Sequence, residues 1–154
     1  MSTSVLEYIA VNVLASINAI TIENGYNQIL VGVRPNRDDF ESIAPENGTV
    51  LIVEAPAERP EIQMDGAEEW LQPFVCMAYV IVSDGAAGSV ETKYAQVVAD
   101  IEKKMKIDPT RGGYAIDTKI RAARPFTDKK GRSGIAVPVV VHYRTVYGNP
   151  YTKG

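Results

Sequence analysis

Apolar side chains recur along the first twenty residues at the spacing of a helix. Val5, Ile9, Val13, Ile17 and Ile20 form one stripe, widened by Leu6, Ala10 and Leu14, because residues three and four apart share a helical face. Ser4 and Glu7 supply a Ser-x-x-Glu capping box, and Asn24-Gly25 ends the helix at the latest. Such a stripe predicts a helix docked on the sheet of its own domain. A second stripe, Val90, Tyr94, Val97, Val98, Ile101 and Met105, follows Ser89 as cap. Glu91 lies in its first turn and Lys103, Lys104 and Lys106 in its last, the order that the helix dipole favours.

The remaining apolar positions follow the strand pattern. A short β-branched run, Ile29 to Arg34, is ended by Pro35, and a second runs from Thr49 to Glu54. Phe74 to Val82 is almost wholly apolar, which predicts a central strand covered on both faces. Tyr114, Ile116, Thr118, Ile120 and Ala122 alternate with Asp117, Lys119 and Arg121, one core face against one polar face. The chain turns at a tip over Phe126 to Gly134 and returns along Ile135 to Val146, with Ile135, Val137, Val139, Val141 and Tyr143 on one side. Pro138 in that strand predicts an edge position or a bulge. Asn36 to Gly48 reads as a polar loop, and Ala55 to Gln72 as a long irregular stretch of the kind that carries function. Trp70 within it suits a partner anchor or a lid over the core. Tyr147-Gly148-Asn149-Pro150-Tyr151 is turn chemistry. The expected order is α-β-β-β-α-β-β: a single α+β domain over residues 1–154, a mostly antiparallel sheet with two helices packed on it.

Length and composition add compartment. A chain of 154 residues buries roughly 68–70% of the surface its unfolded form exposes, so it needs no staple. A single cysteine, Cys76, allows no internal disulfide and suits a reducing cytosol. Met1 to Glu7 lack the basic opening of a secretory signal. The longest apolar run is far shorter than the ~18 residues of a membrane span. The expectation is a soluble cytoplasmic chain with no membrane partner.

Charge adds direction. Residues 38–69 hold ten acids against one base, and residues 103–154 hold twelve bases against three acids, so the two segments carry −9 and +9. Opposite poles either neutralise each other within a subunit or steer head-to-tail contact between copies. In the second case the subunit interface falls on Glu58, Glu61, Asp65, Glu68, Glu69 and Trp70 from the acidic side. Lys129, Lys130, Arg132, Arg144, Tyr147 and Tyr151 then form the opposing side.

The candidates for chemistry are few. Cys76 and the lone His142 form a conceivable pair, but Phe74, Val75 and Met77 surround the thiol with apolar groups that leave it inert. One His and one Cys do not make a zinc site, and the acids lack EF-hand spacing; no metal or cofactor is expected. Asp84-Gly85-Ala86-Ala87-Gly88-Ser89 lies where phosphate loops lie, yet carries neither Walker nor dinucleotide spacing. Lys129, Lys130 and Arg132 suit non-specific proximity to DNA, although no aromatics interleave with them for base stacking.

Three groups of residues carry a resemblance. They are Glu23-Asn24-Gly25-Tyr26-Asn27 after the first helix, Ala99-Asp100-Ile101-Glu102-Lys103 leading to Gly112-Gly113, and Val141-His142-Tyr143-Arg144-Thr145 followed by Gly148-Asn149-Pro150-Tyr151. In these and in its element order the chain resembles the tail terminator (tail completion, head–tail joining) proteins of long-tailed bacteriophages and prophages. Asn36–Gly48 and Ala55–Gln72 are longer and more acidic than that family's pattern. The resemblance implies a non-enzymatic virion protein made in the bacterial cytoplasm. It implies a hexameric ring that is possible as a monomer in isolation, ends tube polymerisation, and meets the tail tube protein and the head connector. A tube or baseplate subunit, and a small ligand-binding or enzymatic domain, are the alternatives.

Overall fold

The computed structural model describes residues 2–35, 45–59, 66–81 and 89–154. Helix α1 spans Val5–Asn18, capped by Ser4, whose hydroxyl accepts from the Glu7 amide at 3.1 Å. The Glu7 carboxylate turns instead to the Arg34 guanidinium (2.9 and 3.2 Å), which also meets Glu54 at 2.7 Å. Val5, Ile9, Ala10, Val13 and Ile17 are buried on its inner face, and Ile20 after it. Helix α2 spans Val90–Ile107, capped by Ser89, and buries Val97, Ile101 and Met105 as its stripe requires. Asp100, on the same inner face, is also buried.

Among the described residues seven strands form one sheet: β1 Val31–Val33, β2 Thr49–Glu54, β3 Ala67–Tyr79, β4 Asp117–Ile120, β5 Arg124–Thr127, β6 Ser133–Val146 and β7 Asn149–Lys153. The order is β1-β2-β3-β6-β4, with β5 and β7 also on β6. The α+β fold and the expected element order are present. The outgoing arm of the last hairpin is divided into β4 and β5, and the tail read as a turn forms β7. All pairings are antiparallel except β1 with β2. The backbone of the sheet is the β3–β6 ladder, paired continuously from Ala67↔Val146 to Tyr79↔Gly134. The free edge of β6 is shared in sequence by β5, β4 and β7.

Three expectations change. The irregular stretch ends earlier than predicted: β3 begins at Ala67, so Glu68, Glu69, Trp70, Leu71 and Gln72 are strand residues. Pro73 is tolerated inside it because its carbonyl accepts from Ala55 at the point where β2 runs out. Pro138 sits at neither an edge nor a bulge. It pairs with Val75 on one side, and on the other lies at the junction between β5 and β4, where its carbonyl accepts from Arg121. The missing N–H of proline thus falls in a gap between partners. Third, no described helix covers the second face of the central strand. Phe74, Cys76 and Ala78 of β3, with Val137, Val139, Val141 and Tyr143 of β6, join the helices in one core. The alternate residues face the other way.

Candidate interaction face of the sheet

Strand alternation places Leu71, Pro73, Val75 and Met77 of β3 beside Ala136, Pro138 and Val140 of β6 on the face opposite the helices. Val53 of β2 joins them through its pairing with Val75. No described helix packs over this face: both helices lie on the core side, α1 against β1 and β7 and α2 against β6 and β4. Val53, Leu71, Val75, Met77, Ala136 and Pro138 are each only partly buried. A one-sided sheet normally presents polar residues to solvent; here the face carries these partly exposed apolar residues beside Leu51, Tyr79 and Val140, which are buried.

One border is a polar cluster. Glu69 is 4% exposed, with His142 Nε2 at 3.1 Å from one carboxylate oxygen and Arg144 Nε at 3.2 Å from the other. Arg144 Nε is buried and not aligned for a hydrogen bond, so that contact is an ion pair alone. Beside His142, a cavity of about 330 Å³ is lined by Leu71, Ile120, Val140, Asp117, Lys119 and Arg121. Its polar groups are largely committed to neighbours outside the cavity lining. Arg121 holds Glu58 at 3.1 Å, and Asp117 accepts from the amide of Thr118. Lys119 is exposed and has no partner among the described residues.

Glu58 reaches this face from segment 55–59, which runs along the outer edge of β3. The segment is fixed by Ala55 N–H to Pro73 O and by a reciprocal pair between Glu58 and Leu71, at 2.8 and 2.7 Å. Arg59 lies over the Trp70 ring at 4.3 Å on the core side, a cation–π contact. Trp70, expected as anchor or lid in a loop, is a β3 residue packed against the core.

The expected interface residues do not form one patch. Glu68, Tyr147 and Tyr151 lie at the C-terminal end of β6, where Glu68 accepts from the Gly148 amide; both tyrosines are exposed. Lys129, Lys130 and Arg132 lie at its other end, in the β5–β6 turn, where Asp128 holds Arg132 through Nε at 2.7 Å. A 14-residue strand separates the two groups by about 45 Å. Glu69 and Arg144 pair with each other, and Glu58 with Arg121. Glu61 and Asp65 lie outside the described residues, as does the Asp84–Gly88 turn.

The residues quoted for the resemblance turn out to hold the fold. Asp100 accepts from the Asn27 amide at 3.0 Å and from its side chain at 3.1 Å. Lys103 donates to the Gly25 carbonyl and lies over the Tyr26 ring. Lys153 of β7 donates to the Gly113 carbonyl. Cys76 is fully buried in apolar surroundings, and burial pushes its thiol up to about 12.

Sequence reasoning missed Arg111. It is 1% exposed, at φ +48°, and its guanidinium donates to the Met105 and Asp108 carbonyls at the end of α2 and to Ser16 Oγ of α1. Burial holds its pKa below the usual arginine value. A basic residue just past a helix end, between Asp108-Pro109 and Gly112-Gly113, is the signal that marks it. No protein-family model matches the chain, and no curated protein matches it.

Proposed function

We propose that this chain is a structural subunit of the tail terminator type, which packs copy to copy into a ring that caps a phage tail tube and meets the head connector. The observation that supports this reading is that no described helix covers the second face of the sheet, where Val53, Leu71, Val75, Met77, Ala136 and Pro138 remain partly exposed. Monomeric proteins rarely expose a large contiguous apolar strip unless something docks on it. In this reading a neighbouring copy packs on that face. The ends of β6 support head-to-tail order: the basic turn at one end and Glu68 at the other lie on opposite ends of the same ladder. Contacts of this heterologous kind close into rings.

Native mass spectrometry and light scattering over a concentration series at low salt test this. The expected result is a closed oligomer that is lost in Val75→Glu/Met77→Glu and weakened in Lys129→Glu/Lys130→Glu. Arg132 is left unchanged because Asp128 uses it to shape the turn. Assembly indifferent to the open-face pair, or a chain that stays monomeric even in the presence of tail tubes, refutes the reading.

A further inference from the structure

Arg144 holds donors that the fold does not use. A guanidinium carries five N–H groups in a fixed fork. Among the described residues the only polar partner of this one is Glu69, whose carboxylate lies 3.2 Å from Nε. Nε is enclosed and makes no hydrogen bond, and buried N–H groups are rarely left so. The side chain lines a cleft of about 190 Å³ with Lys153, Tyr114, Ile116 and Gly113. Lys153 donates once, to the Gly113 carbonyl at 3.0 Å, which leaves two of its three N–H groups. No acidic side chain lines this cleft; Glu69 is buried and divided between Arg144 and His142. Gly154 completes the lining. Its amide donates to the Arg144 carbonyl, and a Cβ on it would stand 3.0 Å from Arg144 Cγ, so the stem of the guanidinium is held in place.

We propose that this cleft binds a carboxylate, seated between the Arg144 fork and the Lys153 ammonium. The site does not depend on how copies assemble, so it stands apart from the ring reading. Arg144 and Lys153 bring two positive charges against the single carboxylate of Glu69, which leaves a cation for an incoming anion. A carboxylate presents two oxygens in the plane that a guanidinium fork matches, and hydrogen bonds between such ions are about twice as strong as neutral ones. The Tyr114 ring, fixed by stacking on Tyr8 at 4.5 Å between centroids, and Ile116, itself 41% exposed, supply apolar walls. Those walls suit a carboxylate on a short apolar body better than inorganic phosphate. Volume sets the size of the occupant. Pockets for drug-sized ligands begin near about 300 Å³, so this cleft takes a small organic acid or a single acidic side chain of a partner.

Titration of the full chain with benzoate at low salt, followed by backbone amide shifts in NMR, tests the site, with benzamide as the neutral isostere. Saturable shifts are expected at Gly113, Ala115, Ile116 and Gly154 with benzoate and not with benzamide. Lys153→Gln should weaken binding about tenfold, the worth of one charge-assisted hydrogen bond. Arg144→Lys, which keeps the charge and loses the fork, should weaken it at least as much. Thermal unfolding checks that both variants are folded, and the exposed Lys153 carries the test should the Arg144 variant not fold. A chain extended by a Gly-Gly tail moves any terminal carboxylate away from Gly154 and should bind benzoate at least as tightly. A blocked peptide with a single glutamate separates the two sources: tighter binding than benzoate assigns the cleft to a partner's side chain, weaker binding to a free acid. Shifts equal with benzamide, tighter binding of inorganic phosphate, a titration that never saturates, or an affinity unchanged in Lys153→Gln overturns the proposal.

Discussion

Replacing Arg111 by alanine is the sharpest single test of how this domain is held together. The side chain is enclosed at the junction of both helices, where it satisfies the Met105 and Asp108 carbonyls at the end of α2 and reaches Ser16 on α1. Those carbonyls are among the acceptors that every helix end leaves without a partner. Truncation strands a buried acceptor at about 1–3 kcal/mol and removes roughly two methylenes beyond Cβ at about 0.8 kcal/mol each. Against this, the buried guanidinium no longer has to be desolvated, which returns part of the loss. The balance is a destabilisation of about 3 kcal/mol, a fall in Tm of about 6–12 °C for a domain of this size. Backbone strain provides an internal control. At φ +48° an L-residue is strained by roughly 1–2 kcal/mol and glycine is not. Arg111→Gly should therefore be about 1 kcal/mol more stable than Arg111→Ala, the reverse of the usual order. Urea unfolding followed by fluorescence of Trp70, the only tryptophan, measures both at constant m-value. A loss under about 1 kcal/mol for alanine, or a glycine variant less stable than the alanine one, refutes the clasp.

Two further outcomes follow from the same coordinates. The Thr110 hydroxyl and the Gly112 amide, each 2.7 Å from Asp108, hold its carboxyl below the ordinary 3.8; a depressed carboxylate stabilises the fold above its unfolded pKa and ceases to as pH falls through the folded one. The advantage of wild type over Asp108→Asn, under about 1 kcal/mol at this partly exposed site, should be full at neutral pH and vanish below pH 3.8, and urea midpoints that differ equally at both pH values would exclude it. Cys76, with its thiol raised to about 12 by burial, should react with an aromatic disulfide reagent at pH 8 only as fast as the chain opens, so rapid labelling of the native protein would place the thiol elsewhere.

The helices were legible because their signal is local. Caps, stripe and dipole charges all lie within a few residues of each other, and the one intruder on an inner face, Asp100, is explained by Asn27, 73 positions away. The first half of β3 was illegible for the converse reason. Glu68-Glu69 and Pro73 look like loop residues until their partners are known. Glu69 is a strand residue because His142 and Arg144 come to it across the ladder, and Pro73 because β2 ends beside it. β5 and β7 are short, polar and exposed, and exist because β6 offers them an edge. Nothing in their own residues specifies a strand. The bare face was hidden by the same limit: a continuous apolar run from Phe74 signals burial on both sides, and only the positions of the helices reveal which side is left open.

Charge shows most clearly what sequence order hides. Segregation into −9 and +9 halves suggested that the acidic segment of one copy meets the basic hairpin of another. Within the subunit, Glu58–Arg121 and Glu69–Arg144 join the acidic to the basic segment, and the remaining charge is arranged by position along β6 and not by residue number. Glu69 is enclosed, and breaking its pair leaves an uncompensated buried charge. Glu58 and Arg121 are half exposed, and breaking their pair costs little. Burial thus sorts two ion pairs of the same chemistry into one that fixes the sheet and one that solvent can replace. A charge reversal at Glu69→Arg should unfold the domain, whereas Glu58→Arg should leave it folded, and thermal unfolding of the two variants checks both.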